Sequence, residues 1–309
     1  MNMTLRQLGC LVALAEAGHF GRAAAAVHIT QPALSMQIRA LEAVLGTALV
    51  ERGVRGAIFT PTGLEVVRRA RRVLSEVRDI GQVARWSRGL AGRLRLGVIP
   101  TVAPYLLPAA LPLLRARNLA LDLGVREAQT EILLAELRDG LLDAAVVALP
   151  VTDPSLVGQP LFEDPFLLAG SRRALEALGE GIAPADMLPG QLLLLDDGHC
   201  LTDQTIAACG VDAAATRTDL RAASLTTLCR LASEGFGITF LPEIAAPTEC
   251  AAAPRLATRR FPSPEPGRTI GLVRRQLSGD GGWFRELGDV LVAARAAERG
   301  VEDPPGPAE

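Results

Sequence analysis

The spacing of apolar residues predicts three short helices at the start of the chain. The first begins at a capping box, Thr4-Leu5-Arg6-Gln7, ends near Gly18 and places its apolar residues on one face: Leu5, Leu8, Leu11, Val12 and Ala15. A second helix is expected from Arg22 to Val27. Thr30 then caps a third helix with Gln31-Pro32 in its first turn. In that helix four residues recur at helical spacing and are expected to face a core: Leu34, Ile38, Leu41 and Leu45.

The opposite face of the third helix carries Pro32, Ser35, Met36 and Arg39. A short helix with such a face after a tight turn is typical of the recognition helix of a helix-turn-helix unit. Arg39 suits a guanine edge or a phosphate, and Ser35 and Gln31 suit bases or phosphate. Three amphipathic helices alone are a weak signal, so this DNA-binding interpretation also depends on the charge distribution.

The next segment, 49–59, predicts a hairpin with Gly53 and Gly56 that carries Arg52 and Arg55 and resembles a DNA-binding wing. Thr60-Pro61 then begins a long helix. Its apolar residues alternate at four and three positions to give a seam of heptads: Val66, Ala70, Val73, Val77, Ile80 and Ala84. The seam predicts a dimer that binds a dyad DNA site with two-fold symmetry. A helix packed only on its own domain is the alternative.

Charge is distributed unevenly along the chain. The net charge is −2 over 309 residues, but residues 1–95 carry 14 arginines against 6 acidic residues, and residues 96–309 carry 18 against 28. A basic N-terminal segment on an acidic body favours a polyanion-binding module joined to a separate domain. The alternative is that the clustered arginines simply form the solvent-exposed face of one helix, as Arg68, Arg69, Arg71 and Arg72 would.

The remaining two thirds of the chain alternate short apolar runs with helical patterns. The runs are 96–99, 144–149, 192–195, 237–241 and 270–273, and helices are expected over 131–138 and 225–234. This alternation predicts α/β units with parallel sheets. The apolar run 192–195 is followed by an acidic glycine turn and then by His199-Cys200, with Cys209 nine residues after Cys200.

The position of Cys200 predicts a thiol at the start of a helix, where partial positive charge favours a thiolate. The nearby carboxylates Asp196, Asp197 and Asp203 oppose this, so a reactive Cys200 requires a cation from elsewhere in the fold. Cys209 lies about 13–14 Å away if the segment is helical, too far for a disulfide unless it unwinds. The alternative is that both cysteines are small buried hydrophobes. Cys10 and Cys229 are interpreted in that way, and Cys250 is left open.

Several classes of protein are disfavoured by the sequence. It contains no apolar run of membrane-spanning length and no signal-peptide pattern, and five sparsely spaced cysteines fit a reducing, cytoplasmic setting. His19, His28 and His199 are too scattered for a zinc site, so no metal and no cofactor are expected.

A known family matches these motifs. The segment from Leu5 to Thr62 resembles the LysR-type transcriptional regulators, and the resemblance extends over nearly the whole chain; it rests on Ala23-Ala24, Thr30-Gln31-Pro32-Ala33-Leu34-Ser35, Ile38, Leu41-Glu42, Leu45-Gly46 and Phe59-Thr60. Further runs resemble one branch of that family, the OxyR regulators that sense hydrogen peroxide: 97–108, 127–130, 197–201, 221–225 and 268–273. The run around Cys200 is specific to that branch.

The resemblance implies roles for residues of this chain. Cys200 matches the peroxidatic cysteine and Cys209 the resolving one, and a reversible disulfide between them would reorganise the oligomer on DNA. The implied peroxide pocket consists of Thr101, Thr130, His199 and Asp203, with Arg268 as its cation. The implied partners are double-stranded DNA at a dyad operator, further copies of the chain in a homodimer or homotetramer, hydrogen peroxide and RNA polymerase. No membrane partner is expected.

The expected fold class is therefore α/β. A winged helix-turn-helix domain over 1–60 and a coiled-coil linker helix over 61–92 precede an effector domain over 93–300, for which the resemblance implies a periplasmic-binding-protein-like fold. Two subdomains are expected in the effector domain, 93–162 with 267–300 and 163–266, and a disordered tail over 301–309.

We expect a regulator rather than an enzyme, because thiol oxidation would be the signal and not the output. One rival is a LysR-type regulator that binds a small organic effector in the interdomain cleft through Thr101, Arg221 and Ser224. A rival of another class is a solute-binding protein or α/β enzyme. The winged module and the missing signal peptide argue against this rival.

Overall fold

The computed structural model describes residues 2–53, 56–86, 92–117, 121–211, 221–276 and 282–300. Its contacts divide the chain into two compact units, one built on the first 85 residues and one holding most of the rest. Arg55 and the expected tail over 301–309 lie outside the described residues. No helix among the described ranges is both long and apolar enough to cross a bilayer.

The N-terminal unit consists of four helices and one hairpin. In chain order they are α1 (Leu5–Ala17), α2 (Phe20–Ala26), α3 (Gln31–Leu45), β1 (Val50–Gly53), β2 (Gly56–Phe59) and α4 (Pro61–Trp86). The predicted capping box is confirmed, with Thr4 N donating to Gln7 Oε1 at 2.8 Å. The predicted start of α2 at Arg22 is wrong by two residues, because His19 caps the helix by accepting a hydrogen bond from Gly21 N at 3.0 Å.

The core of this unit is formed by the apolar faces of its helices. Leu34, Ile38 and Leu41 are buried as predicted, and Leu45 packs against the same cluster. The apolar seam of α4 is buried in its first part and exposed in its later part. Ala70 is buried in this core and Val66 packs against it, whereas three later positions are exposed: Val73, Val77 and Ile80. The side chain of Ala84 lies outside the described residues.

The larger unit is a mixed α/β fold. Its strands are β3 (Arg93–Val98), β4 (Asp122–Glu127), β5 (Ala144–Leu149), β6 (Leu156–Ser171), β7 (Leu194–Leu195), β8 (Arg221–Ala222), β9 (Ile238–Pro242), β10 (Leu256–Arg260) and β11 (Gly267–Arg275). Its helices are α5 (Ala103–Arg117), α6 (Thr130–Arg138), α7 (Arg172–Ala177), α8 (Cys200–Cys209), α9 (Leu225–Ser233), α10 (Ala246–Ala252) and α11 (Trp283–Gly300), with short 3₁₀ helices at Pro184–Asp186 and Pro189–Gln191.

The expectation of parallel sheets is only partly correct. β3 lies parallel to β4 and β5, and β7 lies parallel to β8. β11, in contrast, runs antiparallel to both β5 and β6. Helical crossovers connect β3 to β4 and β4 to β5, which makes those strands parallel. β11 instead follows a short loop after β10, and an apolar run carries no signal for strand direction.

The long strand β6 joins the two halves of the larger unit. Its residues 156–165 pair with β11, whereas residues 166–171 pair with β9 and β10. The expected subdomain boundary near Phe162 falls inside this strand, and the expected return near Pro266 falls just before β11. This strand therefore links the half of the unit that contains β3, β4 and β5 to the half that contains β9 and β10.

Candidate functional site

Cys200 is the first residue of α8. The buried strand β7 ends at Leu195, a turn follows, and His199 precedes the helix in an extended conformation without a side-chain capping bond. The thiol is free and half-buried. The first N–H groups of a helix have no partner within it and stabilise a negative charge placed beside them. Local structure thus agrees with the predicted position for a reactive thiol.

The turn before Cys200 depends on a glycine. Gly198 has a φ of +91°, a conformation that favours glycine, and a Cβ built there would lie 2.6 Å from Gln129 Oε1. The same Gln129 donates from Nε2 to the Asp197 carbonyl at 3.2 Å. The loop before α6 therefore packs directly on the turn that sets the direction of α8.

We expect a Gly198→Ala substitution to lower the free energy of unfolding by about 1–3 kcal/mol, because it combines an unfavourable φ with the close contact to Gln129. Denaturant unfolding measures this loss. Gly190→Ala is the matched control, since nothing lies within 4 Å of a Cβ there and its φ is not positive. Equal effects of the two substitutions would show that neither the φ of Gly198 nor its contact with Gln129 contributes to stability.

Cys209 is the last residue of α8 and differs from Cys200 in its environment. Its side chain is 3% exposed, and burial raises the pKa of its thiol to about 11. Gly210 ends the helix in the left-handed conformation. Nine helical steps separate the two cysteines by about 13–14 Å along the axis, well beyond the reach of a disulfide.

One hydroxyl group attaches α8 to its surroundings, and a second bonds within the helix. Thr202 Oγ1 donates to the Leu195 carbonyl at 3.0 Å, whereas Thr205 Oγ1 donates to the Leu201 carbonyl one turn earlier in α8 at 2.8 Å. Both threonines are buried. The helix is short, so these few bonds and its buried face hold it in place.

Arg268 and Thr101 are brought together by the fold. The guanidinium of Arg268 donates from Nη1 to Thr101 Oγ1 at 2.8 Å and from Nη2 to the Thr101 carbonyl at 3.3 Å. Its charge is paired with Asp164 through Nε and Nη2, at 3.0 and 2.9 Å. Asp164 also accepts from Ile244 N at 3.0 Å. Arg268 thus contacts Thr101, and the buried carboxylate of Asp164 compensates its charge.

The other residues of the expected pocket have distinct environments. Thr130, at the start of α6, has a buried hydroxyl without a hydrogen-bond partner among the described residues. Burial lowers the pKa of His199, and the nearby Asp196 offsets part of this effect. This shift favours the neutral form of the imidazole. Asp203 lies exposed in the first turn of α8.

The two residues expected in an effector cleft have structural partners. Arg221 forms an ion pair with Asp197 in the turn before α8. Ser224 caps α9 by accepting from Thr227 N at 3.3 Å.

The candidate DNA-binding face lies in the N-terminal unit. On α3 the side chains of Gln31, Pro32 and Arg39 are exposed, Met36 is 65% exposed, and Ser35 is half-buried. The wing hairpin is present, but the side chain of Arg52 lies outside the described residues.

Sequence reasoning missed two residues that build the site. Asp164 gave a signal, because a charged residue interrupts the apolar pattern of β6, but its partner could not be identified. Gln129 lies in the run 127–130 that carries the resemblance, but its contact with Gly198 could not be predicted from the sequence. A buried cluster around Glu249 also went unnoticed. The Glu249 carboxylate accepts a hydrogen bond from Tyr105 Oη at 2.6 Å and another from Thr226 Oγ1 at 2.9 Å.

Comparison with known families identifies the class of protein. Residues 5–64 match the bacterial regulatory helix-turn-helix proteins of the LysR family, and residues 87–295 match the LysR substrate-binding domain. The chain belongs to the LysR family of transcription regulators.

Within that family the chain is OxyR-like. It is 42% identical over 292 residues to the "Hydrogen peroxide-inducible genes activator" of Pectobacterium carotovorum, which covers 94% of this chain and 96% of that protein. A solved full-length cysteine-to-aspartate variant of Pseudomonas aeruginosa OxyR is 32% identical, with a TM-score of 0.79 and coverage of 94% and 98%. A cysteine-to-serine variant of Corynebacterium glutamicum OxyR with bound hydrogen peroxide is 36% identical, with a TM-score of 0.66 and coverage of 100% and 99%.

Proposed function

We propose that this regulator senses hydrogen peroxide through a reversible disulfide between Cys200 and Cys209. One observation carries the proposal: a half-buried thiol begins α8 and a buried thiol ends it. The names of the relatives, which include peroxide-inducible activators, support the same signal.

The chemistry proceeds in two balanced steps. The Cys200 thiolate attacks one oxygen of hydrogen peroxide, the O–O bond breaks, and the departing hydroxide takes up a proton to leave as water. Cys200 is then a sulfenic acid. Cys209 attacks that sulfur, the S–O bond breaks and a second water leaves, so two thiols are oxidised by one peroxide. Thiol reductants reverse the reaction.

The pocket residues would hold the peroxide. Thr130 offers a buried hydroxyl without a partner among the described residues. Thr101 accepts a bond from Arg268, which leaves its own O–H free to donate. His199 and exposed Asp203 would carry the leaving proton. Arg268 would act by orienting Thr101, because Asp164 already pairs with its charge.

Disulfide formation requires α8 to unwind, because its helical ends are too far apart. This rearrangement would shift the interface between copies of the chain and so change the distance between their α3 helices on a dyad operator. Exposed Val73, Val77 and Ile80 on α4 support a dimer. The family resemblance adds a tetramer and contact with RNA polymerase to this proposal as further candidates.

The first experiment treats reduced protein with near-stoichiometric hydrogen peroxide, blocks the remaining thiols and maps disulfides by peptide mass spectrometry. We expect a fast Cys200–Cys209 link that reductant reverses. Unmodified cysteines under these conditions would overturn the peroxide mechanism and leave a LysR-type regulator with another signal.

A Cys209→Ser substitution is expected to trap the sulfenic acid at Cys200, because the attacking thiol is absent while the peroxide-facing residues are intact. A dimedone adduct on Cys200, measured by mass spectrometry, should be several-fold more abundant than in the unsubstituted protein. Cys229→Ser is the control, since Cys229 is also fully buried in a helix. No adduct in either variant would exclude this intermediate.

A further inference from the structure

The side chain of Gln129 joins the start of α6 to a turn that lies 68 positions later in the chain. It donates from Nε2 to the Asp197 carbonyl at 3.2 Å, and its amide lies against Gly198, where a Cβ would come within 2.6 Å of Oε1. The backbone of the same residue begins α6, since the Gln129 carbonyl accepts a hydrogen bond from Leu133 N at 3.0 Å. One residue therefore belongs to the first turn of α6 and also contacts the turn before α8.

Both of these segments carry groups of the proposed reaction. Thr130 follows Gln129 directly, and its hydroxyl is buried without a hydrogen-bond partner among the described residues. Cys200 follows Gly198 by two residues and begins α8. A peptide chain spans at most about 3.6 Å per residue. The contact between Gln129 and the turn therefore limits how far Thr130 and Cys200 can lie from each other.

The Gln129 amide is better suited to hold the turn than the ion pair that also reaches it. Arg221 pairs with the Asp197 carboxylate, but that carboxylate is 90% exposed, and water screens an exposed ion pair. Gln129 is half-buried and packs on a backbone position that has no room for a side chain. An apolar side chain of the same length would leave the Asp197 carbonyl without this donor.

We propose that Gln129 is a positioning residue for the reaction of Cys200 with peroxide, because it holds the start of α8 against the start of α6. This role rests on the proposed function, since it concerns the same thiol. Groups that bind a small substrate must keep their positions closely, and a displacement of about 1 Å can lower a rate about a hundredfold. Gln129 would act without contacting the peroxide, by keeping Thr130 and Cys200 within reach of one peroxide molecule.

A Gln129→Met substitution tests this role, because it removes the amide donor and keeps a neutral side chain of similar length. We expect the second-order rate of Cys200 oxidation by hydrogen peroxide, measured by quenched-flow thiol analysis of the reduced full chain, to fall at least about tenfold. The alkylation of Cys200 by iodoacetamide should change less than about twofold, since it depends on the ionisation and exposure of the thiol and not on the peroxide pocket. A merely structural role would change both rates.

Gln159→Met is the matched control. Gln159 is also half-buried, and its amide also lies against a glycine, with Nε2 3.1 Å from a Cβ built at Gly288. It lies in β6, opposite Leu272 of β11. The control should keep both rates of the unsubstituted protein. Amide hydrogen exchange over residues 197–200 should rise about fivefold in Gln129→Met, the effect of one lost hydrogen bond, and should not rise in the control.

A second substitution shows whether Gln129 acts through Thr130. In a Thr130→Val background, Gln129→Met should lower the peroxide rate less than about twofold, because the hydroxyl that Gln129 positions is already absent. Two residues that acted independently would instead give losses that multiply in the double variant.

Each of four results would overturn this role of Gln129: an unchanged peroxide rate in Gln129→Met, an equal fall in its alkylation rate, an unchanged exchange rate of the turn, or losses that multiply with Thr130→Val. Failure of the proposed function gives a different result, because peroxide would then leave Cys200 unoxidised in the unsubstituted protein. The positioning role would fall with it, and the exchange measurement would still report whether Gln129 holds the turn.

Discussion

A Cys200→Ser substitution is expected to abolish the peroxide-driven disulfide and to slow peroxide consumption by at least about a hundredfold, because a serine hydroxyl does not ionise near neutral pH and is a far weaker nucleophile. DNA binding itself should persist, since α3 and its core belong to the other compact unit. Quenched-flow thiol analysis measures the first effect, and a DNA footprint with and without peroxide measures the second.

The control for this prediction is Cys250→Ser. Cys250 is also half-buried and free, but it lies within α10 rather than at a helix N-terminus. The control should retain the unsubstituted oxidation rate. A peroxide-dependent change in the footprint of Cys200→Ser would contradict the proposed role of Cys200.

An Arg268→Leu substitution is expected to lower the free energy of unfolding by about 3–5 kcal/mol, because it leaves a buried carboxylate without its cation. The side chains of Arg268 and Asp164 are both 0% exposed. Within the described ranges, Asp164 would then keep the backbone donor at Ile244 and no cation. Urea unfolding followed by the fluorescence of buried Trp283 measures the loss.

Two further variants show whether this loss comes from the uncompensated charge. Adding Asp164→Asn to Arg268→Leu should restore much of the stability, because the neutral amide still accepts from Ile244 N and carries no charge. Arg255→Leu should cost about 0–1 kcal/mol, since its ion pair with Glu234 is 78% and 54% exposed. A loss for Arg268→Leu no larger than for Arg255→Leu would rule out this account.

Short-range patterns were sufficient for much of the local structure. The capping box at Thr4, the cap of α3 at Thr30 and the helix that begins at Cys200 all depend on residues within four positions of one another. The start of α2 was misplaced because a histidine cap is an uncommon signal. The resemblance to the LysR-type family, carried by longer motifs, was confirmed by the family matches.

Short-range patterns could not predict the direction of neighbouring strands or which part of an apolar seam is buried. An apolar run is the same whether its neighbour is parallel or antiparallel, so the antiparallel pairing of β11 with β5 and β6 was not foreseen. The burial of Ala70 was missed for a related reason. The heptad seam of α4 is regular in sequence, and only the packing of the unit decides which part of it is covered.

The sequence by itself determined the helix-turn-helix unit, the placement of Cys200 at a helix start and the spacing to Cys209, since each is set by local preference and helical periodicity. Only the tertiary structure decided that Asp164 compensates the charge of Arg268 and that Gln129 packs on Gly198. These features join residues far apart in the chain, 104 positions in the case of Arg268 and Asp164. Their contacts arise from the packing of the sheets and helices, which no local spacing encodes.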